Sequence, residues 1–569
     1  MNNSSNKPSN LTLIAEDYIK LMIDQVSGMK SIVFDADTKV MFSLITSKSN
    51  AIKEEIFMFE EIKNLKPEEK YLNIKGLFFL RPTNKNIEML CKILKNPNFV
   101  DIYLFFSNSV TEDNLRKLAH TDEYSSVKAV QEVYLDYFVI NSKLFHLDID
   151  STPLIKNANL WKSNEYFILD RIVDGILSTC LSMRLNPVIK YVKNNEMLKL
   201  IADKVNEHTK NNYDGILSKS NKETNGTLLL YDRKEDPITP LISQWTYQAM
   251  IHDIFGIYQN ICTVKNERLV LSDSDDMFFK ENLDKTFGEV AAKIKEKIDT
   301  MTKSNDVSSN ELESFEEIKN YIENLPQKKK ESMEITKHTG IIYELTHNVE
   351  TRNLLNLSLL EQDIACKDDK KDQLNRLIQV LKDTKNLNNK EKIEQIKLFL
   401  LFVLRYENDV NSINVLKDLL KENSLGDYTE YAEVILYYAG QAKRTCDLLN
   451  NKDFLSNTFF KITQALKDVP NVFTQHTSLL SSILKKLFNK GKLNEIETLN
   501  NNNNKTEKLN KVLVFCVGGV TYEEARDVNS MIDISKSDIV LGGTSIINSK
   551  IFLNSLTDIA LELKKKEFK

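Results

Sequence analysis

The sequence predicts an α/β protein with a large all-α insertion, made of two Rossmann-like parallel-sheet regions and a helical one. Three observations carry this. Short apolar runs alternate with amphipathic helical patterns over residues 1–141. The same alternation returns at 186–232 and resumes only at 511–543, and the stretch between follows helical spacing almost throughout. Short, fully apolar strands set between helices form a parallel sheet covered on both faces.

The elements follow in order. Ser31–Asp35 (SIVFD), Gly76–Leu80 (GLFFL) and Asp101–Asn108 (DIYLFFSN) read as strands of the first sheet. Ile52, Ile56, Phe59 and Ile62 recur at spacings of four and three, which predicts one face of a helix. Thr83, after Pro82, is placed to cap a helix carrying Ile87, Leu90 and Leu94. Asn186–Val192 and Gly226–Asp232 are strands of the second region, and Lys511–Gly519 and Ser537–Gly543 complete the same sheet. Inside the insertion, Phe287, Val290, Ile294 and Ile298 mark one helix. Leu312, Phe315, Ile318, Ile322 and Leu325 mark another that stops at Pro326, and a stripe resumes through Ile335, Ile342 and Leu345. Two apolar faces about a polar, proline-marked turn predict a helical hairpin near 312–350. Thr498–Asn510 (TLNNNNNKTEKLN) is low in complexity and reads as a surface loop without fixed structure.

Composition narrows the function. A net charge of −5 on 569 residues offers no concentrated basic surface, so no nucleic-acid partner is expected. The start, MNNSSNKPSN, lacks the basic and apolar regions of a signal peptide. The longest apolar run, Leu398–Leu404, is far short of the roughly 20 residues that span a bilayer, and KKKEFK carries no prenylation motif. Membrane contact is therefore expected only through partners. The six cysteines stand singly and read as reduced packing residues.

The densest stretch, Leu228–Gly256 (LLLYDRKEDPITPLISQWTYQAMIHDIFG), invites a chemical reading. Asp232, Glu235 and Asp236 lie close together, but bases separate them and no glycine supplies the turn of a calcium loop, so internal ion pairs or a solvated turn are the simpler expectation. The glycine pairs of Val517–Gly519 and Leu541–Ser545 match no phosphate-loop or dinucleotide pattern, and Thr521 and Thr544 read as helix caps. His252 and Asp253 are helix neighbours that point apart, and the other histidines are scattered. No catalytic group, metal or cofactor is expected. The rival class is a nucleotide- or phosphosugar-handling enzyme built on the glycine turns. Physically, the stretch reads as a strand ending at Asp232, a charged turn with Pro237, and then a helix. Thr239 would cap that helix, with Pro240 at its first position, Leu241, Trp245, Ala249 and His252 on one face, and Gly256 as its stop. It is a joint between a sheet region and the helical insertion.

At these residues a resemblance enters. DRKEDPITPLISQWTYQAM is similar to the signature D-R-x-x-D-P-[VI]-T-P-L-x-x-Q-W-T-Y-Q-A-M of the Sec/Munc (SM) family of SNARE-binding proteins. FFSN (105–108), VGGVTYEEAR (517–526) and LGGTSIINSKIFL (541–553) resemble its vacuolar protein sorting-associated protein 45 subfamily. The resemblance runs nearly end to end; the N-terminal extension and the asparagine run depart from it. It implies a three-domain arch, with domain 1 over 1–141, domain 2 over 142–245 and 477–569, and domain 3 over 246–476. It implies no enzyme, but a regulator of vesicle fusion that binds a syntaxin-type (Qa) SNARE in trans-Golgi, endosomal or vacuolar transport. Further partners would be a vesicle R-SNARE and tethering or Rab-effector proteins. The protein would lie in the cytoplasm, peripherally on Golgi, endosomal or vesicle membranes; a paralogue serving another trafficking step is the alternative. Residue by residue, the resemblance places a syntaxin N-terminal peptide against Leu115, Leu118, Ala119 and Glu132, one of the two leucines packing inward. It places Asp35 and Lys39 on a SNARE cavity between domains 1 and 3. Pro326 becomes a hairpin switch, and Asp232, Arg233, Asp236, Pro237, Pro240 and Trp245 become a structural junction between domains 2 and 3.

Overall fold

Helix α1 (Leu11–Asp24) is the first element, capped by Asn10, whose side chain accepts from the Leu13 N–H. The computed structural model describes residues 9–150, 166–216, 224–305, 315–382, 389–446, 475–499 and 509–567, apart from positions 67, 72, 424, 490 and 492. Two compact units result. Unit 1 comprises Met1–Asp232, Lys485–Val520 and Val528–Ile546; unit 2 comprises Arg233–Leu484, Thr521–Asp527 and Ile547–Lys569.

Unit 1 begins with β1 (Lys30–Phe34), α2 (Ala36–Ile45), α3 (Lys48–Lys53), β2 (Ile56–Glu61), β3 (Lys75–Leu80), α4 (Asn84–Leu94), β4 (Ile102–Phe106), α5 (Glu112–Thr121) and β5 (Val127–Glu132). The five strands form a parallel sheet in the order β2-β1-β3-β4-β5. β1 is buried along its whole length, as a strand covered on both faces must be. Thr83 caps α4 by accepting from the Asn86 N–H, and Ile87, Leu90 and Leu94 pack inward. The expected helix through Ile52, Ile56, Phe59 and Ile62 is absent. Helix α3 ends at Lys53, Glu55 takes φ +62°, and Ile56–Glu61 pairs with β1 as an edge strand. The run IFMFEE is rich in residues that suit a pleated surface, and a short apolar run carries little period of its own.

The second sheet starts with β6 (Phe138–Asn141) and β7 (Leu144–His146), then α6 (Tyr166–Ser182), β8 (Leu185–Val192), α7 (Glu196–Ile216) and β9 (Thr224–Asp232). The chain then enters unit 2. There α8 (Tyr247–Ile254) precedes β10 (Ile257–Tyr258), β11 (Ile261–Val264) and β12 (Glu267–Val270), a small antiparallel sheet that helical spacing did not foretell. The tight turn at Lys265 and Asn266, both at positive φ, closes β11 onto β12.

Helices follow: α9 (Met277–Asn282), α10 (Phe287–Asn305), α11 (Phe315–Thr351), α12 (Leu354–Cys366), α13 (Lys370–Lys382), α14 (Asn389–Arg405), α15 (Val410–Glu422), α16 (Tyr431–Ala439) and α17 (Leu479–Phe488). The turn expected at Pro326 does not occur. Helix α11 is continuous over 37 residues and passes through it. Proline removes one backbone bond, that to the Ile322 carbonyl, while the lysines and glutamates around it are strong helix formers. Leu312 lies outside the described residues, as do positions 500–508 of the asparagine-rich loop and residues 1–8 of the N-terminal tail.

The chain returns with β13 (Ile496–Thr498), β14 (Lys511–Val517), α18 (Tyr522–Ser535), β15 (Asp538–Gly543) and α19 (Ser549–Glu567). The sheet order is β13-β8-β9-β14-β15-β7-β6, parallel from β8 to β7 and antiparallel at both edges. The two late strands therefore fill the centre of a sheet begun hundreds of residues earlier. Gly542 is needed there, since a Cβ would fall 2.1 Å from the Phe145 ring.

Candidate functional site

The face formed by α5 and edge strand β5 is the first candidate. Thr111 caps α5, accepting from the Asn114 N–H, and Leu118 turns inward to the cluster of Ile87, Leu90, Leu104 and Phe106 with 4% exposure. Leu115 is 38% exposed, and Ala119, one turn on, shares its exposed face. On β5, Val130 is 47% exposed and Tyr124 ahead of it 66%. Glu132 is half-buried: one carboxylate oxygen accepts from the Val110 N–H and the other from the Tyr134 hydroxyl, both at 2.8 Å. Three of the four named positions thus lie at or near the surface, and Leu118 is core.

At the end of β1, Asp35 is a cap. Its Oδ1 accepts from the Asp37 and Thr38 N–H groups, and its Oδ2 from the Arg81 N–H and the Asn86 amide at 2.7 Å each. Burial nevertheless raises its carboxyl above the ordinary value. Lys39 is exposed and pairs with Glu61 at 2.7 Å. Hydrogen bonds from Lys39 and Lys63 pull the Glu61 carboxyl down to about 2.

The dense stretch is an internal charge network. Arg233, Glu235 and Asp236 are fully buried and Asp232 nearly so. Arg233 meets Glu524 of α18 at 2.5 Å and donates to the Asp236 carbonyl. Asp236 accepts from the N–H groups of Ile238, Thr239 and Leu479 and from the Thr239 hydroxyl. Glu235 accepts from the Thr445 and Cys446 N–H groups, and Asp232, in unit 1, accepts from the Asn195 amide. The mixed charges of the turn are therefore internal partners.

The helix expected to begin at Thr239 is only a 3-10 turn over Thr239–Leu241, with no side-chain cap; Thr239 is bonded back to Asp236 instead. Helix α8 starts at Tyr247 and ends before Gly256, which takes φ +82°. Trp245 sits between the two, its indole N–H on the Ser358 hydroxyl at 2.8 Å. A neighbouring network was not foreseen: fully buried Lys397 meets Glu394 at 2.8 Å, Glu361 at 3.4 Å and the Ser243 hydroxyl at 2.9 Å. Its signal was a lone lysine directly before the apolar run Leu398–Leu404.

Thr521 closes a capping box with Glu524, but Thr544 caps no helix; its hydroxyl accepts from the Gly518 N–H. The glycine turns are thus bonded within unit 1. Burial pushes the Cys180 thiol up to about 12 and those of Cys262 and Cys366 to about 11, which leaves little thiolate at neutral pH. Among the described residues no cluster of three metal-ligating side chains occurs.

With this geometry in view, comparison with known proteins is decisive. The Sec1 family model matches residues 30–555, from β1 into α19. The chain belongs to the Sec1 family. Vacuolar protein sorting-associated protein 45 of Dictyostelium discoideum is 34% identical over 567 residues, covering 97% of both chains. The Homo sapiens protein of that name is 31% identical over 98% of both. A solved structure of the SM protein Vps45 in complex with the Qa SNARE Tlg2 superposes with a TM-score of 0.85 at 29% identity, over 97% of this chain and 98% of that one. The Unc18–syntaxin 1 complex of Monosiga brevicollis, at 17% identity and a TM-score of 0.78 over 96% of this chain and 99% of that one, shares the fold. As a Sec1-family chain it combines parallel-sheet α/β regions with a long helical insertion, and among its described residues no helix is long and apolar enough to cross a membrane.

Proposed function

We propose that this chain is a non-enzymatic regulator of vesicle fusion that binds a syntaxin-type Qa SNARE and assists SNARE-complex assembly in trans-Golgi, endosomal or vacuolar transport. The observation that carries the reading is the end-to-end likeness to Vps45, solved with the Qa SNARE Tlg2. In this reading the protein lies in the cytoplasm and reaches membranes through its partners.

Local geometry supports particular roles. Leu115 and Ala119 form an apolar strip on α5 that the core does not use, and a short peptide anchored by one apolar side chain fits such a strip. Glu132 positions the loop ahead of α5 through Val110, and Asp35 positions α2; of the pair Asp35 and Lys39, Lys39 is the one open to a partner. Holding a SNARE helix beside a second, vesicle-borne R-SNARE lowers the entropic barrier to their encounter, and α11 would supply that second surface, with Pro326 as its hinge. Residues 1–141, 142–245 with 477–569, and 246–476 serve as the three domains of this reading.

Calorimetry against N-terminal peptides of a syntaxin panel tests it. Leu115→Arg is expected to weaken the bound peptide about tenfold or more while leaving the melting temperature unchanged. Equal affinity in wild type and variant would remove the peptide from this face, and wild type binding no member of the panel would sink the reading.

A further inference from the structure

Unit 2 holds a buried hydrogen-bonded chain to which the function proposed above assigns no role. His338 of α11 is fully buried. Its Nε2 lies 2.8 Å from Oδ2 of Asp276, and its Nδ1 lies 2.8 Å from the Tyr247 hydroxyl. Asp276 is the N-cap of α9, its Oδ1 accepting from the Phe279 N–H, and Lys337 pairs with its other oxygen. Tyr247 is the first residue of α8. The Phe279 ring lies parallel to the imidazole at 6.1 Å, and Phe278 flanks it at 4.9 Å.

The polarity of this chain is fixed. Burial pushes the Asp276 carboxyl up, but the bonds from His338 and Lys337 outweigh it and hold the group well below the usual carboxylate range. An ionised carboxylate only accepts, so Nε2 carries the proton and Nδ1 accepts from Tyr247. Burial lowers the His338 pKa, which keeps the imidazole neutral. The arrangement has the connectivity of a catalytic triad, yet Tyr247 is fully buried and its hydroxyl is bonded to His338.

The rest of α11 shows what is being held. Ile335, His338, Ile341, Leu345 and Val349 are buried at spacings of three and four, which defines a docked root. The β11–β12 turn adds a brace, with Lys265 pairing with Glu344 at 2.6 Å and lying over the Tyr343 ring. Ahead of the root, Lys329, Lys330, Ser332 and Met333 are exposed, Glu331 makes a half-exposed pair with Lys297 of α10 at 2.7 Å, and Pro326 removes one bond of the backbone ladder.

We propose that the Tyr247–His338–Asp276 relay anchors α11, fixing residues 335–349 to α8 and α9 so that any pivot of the helix falls ahead of them. The use of that pivot in handling a second SNARE rests on the function proposed above; the anchoring does not. Hydrogen–deuterium exchange on the full-length chain tests it. Tyr247→Phe leaves Nδ1 buried without a donor and should raise amide exchange over 335–349 about tenfold, with α12–α16 unchanged. His338→Gln keeps one donor and one acceptor and should protect the root better than His338→Leu, which keeps the bulk and neither. A rise confined to the root, with glutamine rescue, supports the anchor. Unchanged exchange, a uniform rise across unit 2, or equal behaviour of the glutamine and leucine variants overturns it. Should no syntaxin bind the wild type, the functional reading falls while the exchange result still decides the anchor.

Discussion

Two regions of this molecule invert the usual placement of residue types. In the stretch from Arg233 to Trp245, Arg233, Glu235 and Asp236 lie fully inside, bonded to Glu524 and to backbone groups. On the α5–β5 face, Leu115, Tyr124 and Val130 are exposed, with no apolar cover among the described residues. The first region is dense in sequence because a buried charge needs several partners at once. The second is sparse because a docking surface needs only a few apolar side chains left uncovered. Density of signal therefore marked what holds the chain together, and the surface that would meet a partner is marked by what the core leaves out.

The comparison is broken most severely at Arg233. Arg233→Met removes the partner of buried Glu524 and a donor to the Asp236 carbonyl. Loss of one member of a buried pair typically costs about 3–5 kcal/mol, so the variant should show a much lower melting temperature or little soluble protein. A melting temperature within a degree of wild type would mean that the network contributes little.

Legibility follows the same division. Strands β1, β3, β4, β9, β14 and β15 were readable because each is an apolar run covered on both faces. Strand β2 was not, because an edge strand alternates weakly and its residues fell by chance on helical spacing. The 3-10 turn at Thr239 was mistaken for a helix start, since Thr-Pro looks alike in both, and only the Asp236 carboxylate decides between them. The continuity of α11 through Pro326 was hidden for a related reason. Proline marks a lost hydrogen bond, and whether the chain bends there depends on its neighbours. Of the positions proposed for peptide binding, Leu115 and Leu118 are indistinguishable by type; burial separates them. Asp35 and Glu132 looked like contacts, but their oxygens already accept hydrogen bonds within the chain.

That separation gives the next test. Leu118→Ala removes a side chain from the cluster around Leu90 and Phe106 and should cost about 2–5 kcal/mol of stability in urea unfolding. Leu115→Ala, three residues away, should stay within about 0.5 kcal/mol of wild type. Equal losses would show that α5 packs by both leucines and that the face is not free for a partner.

Acid supplies the finest probe, because a neutral base held inside responds to pH where an exposed leucine cannot. His338, bonded to Tyr247 of the dense stretch, has its pKa lowered by burial, and His146 of β7, stacked on Phe138 in unit 1, is pushed down to about 3. A histidine whose folded pKa lies below its unfolded value of roughly 6.5 contributes full stability above that value and loses it as pH falls toward the folded pKa. Between pH 7.5 and 5.5 the unfolded chain takes up the proton that folded His146 refuses, a loss of about 1.4 kcal/mol, and His338 adds to it with the same sign. Asp174, pushed up to about 6 by burial, works in the opposite direction, so the test is the comparison of variants: the urea midpoint of His146→Gln should fall less across this window than that of wild type. Equal pH dependence in wild type and His146→Gln would mean that the fold does not exclude a charged His146.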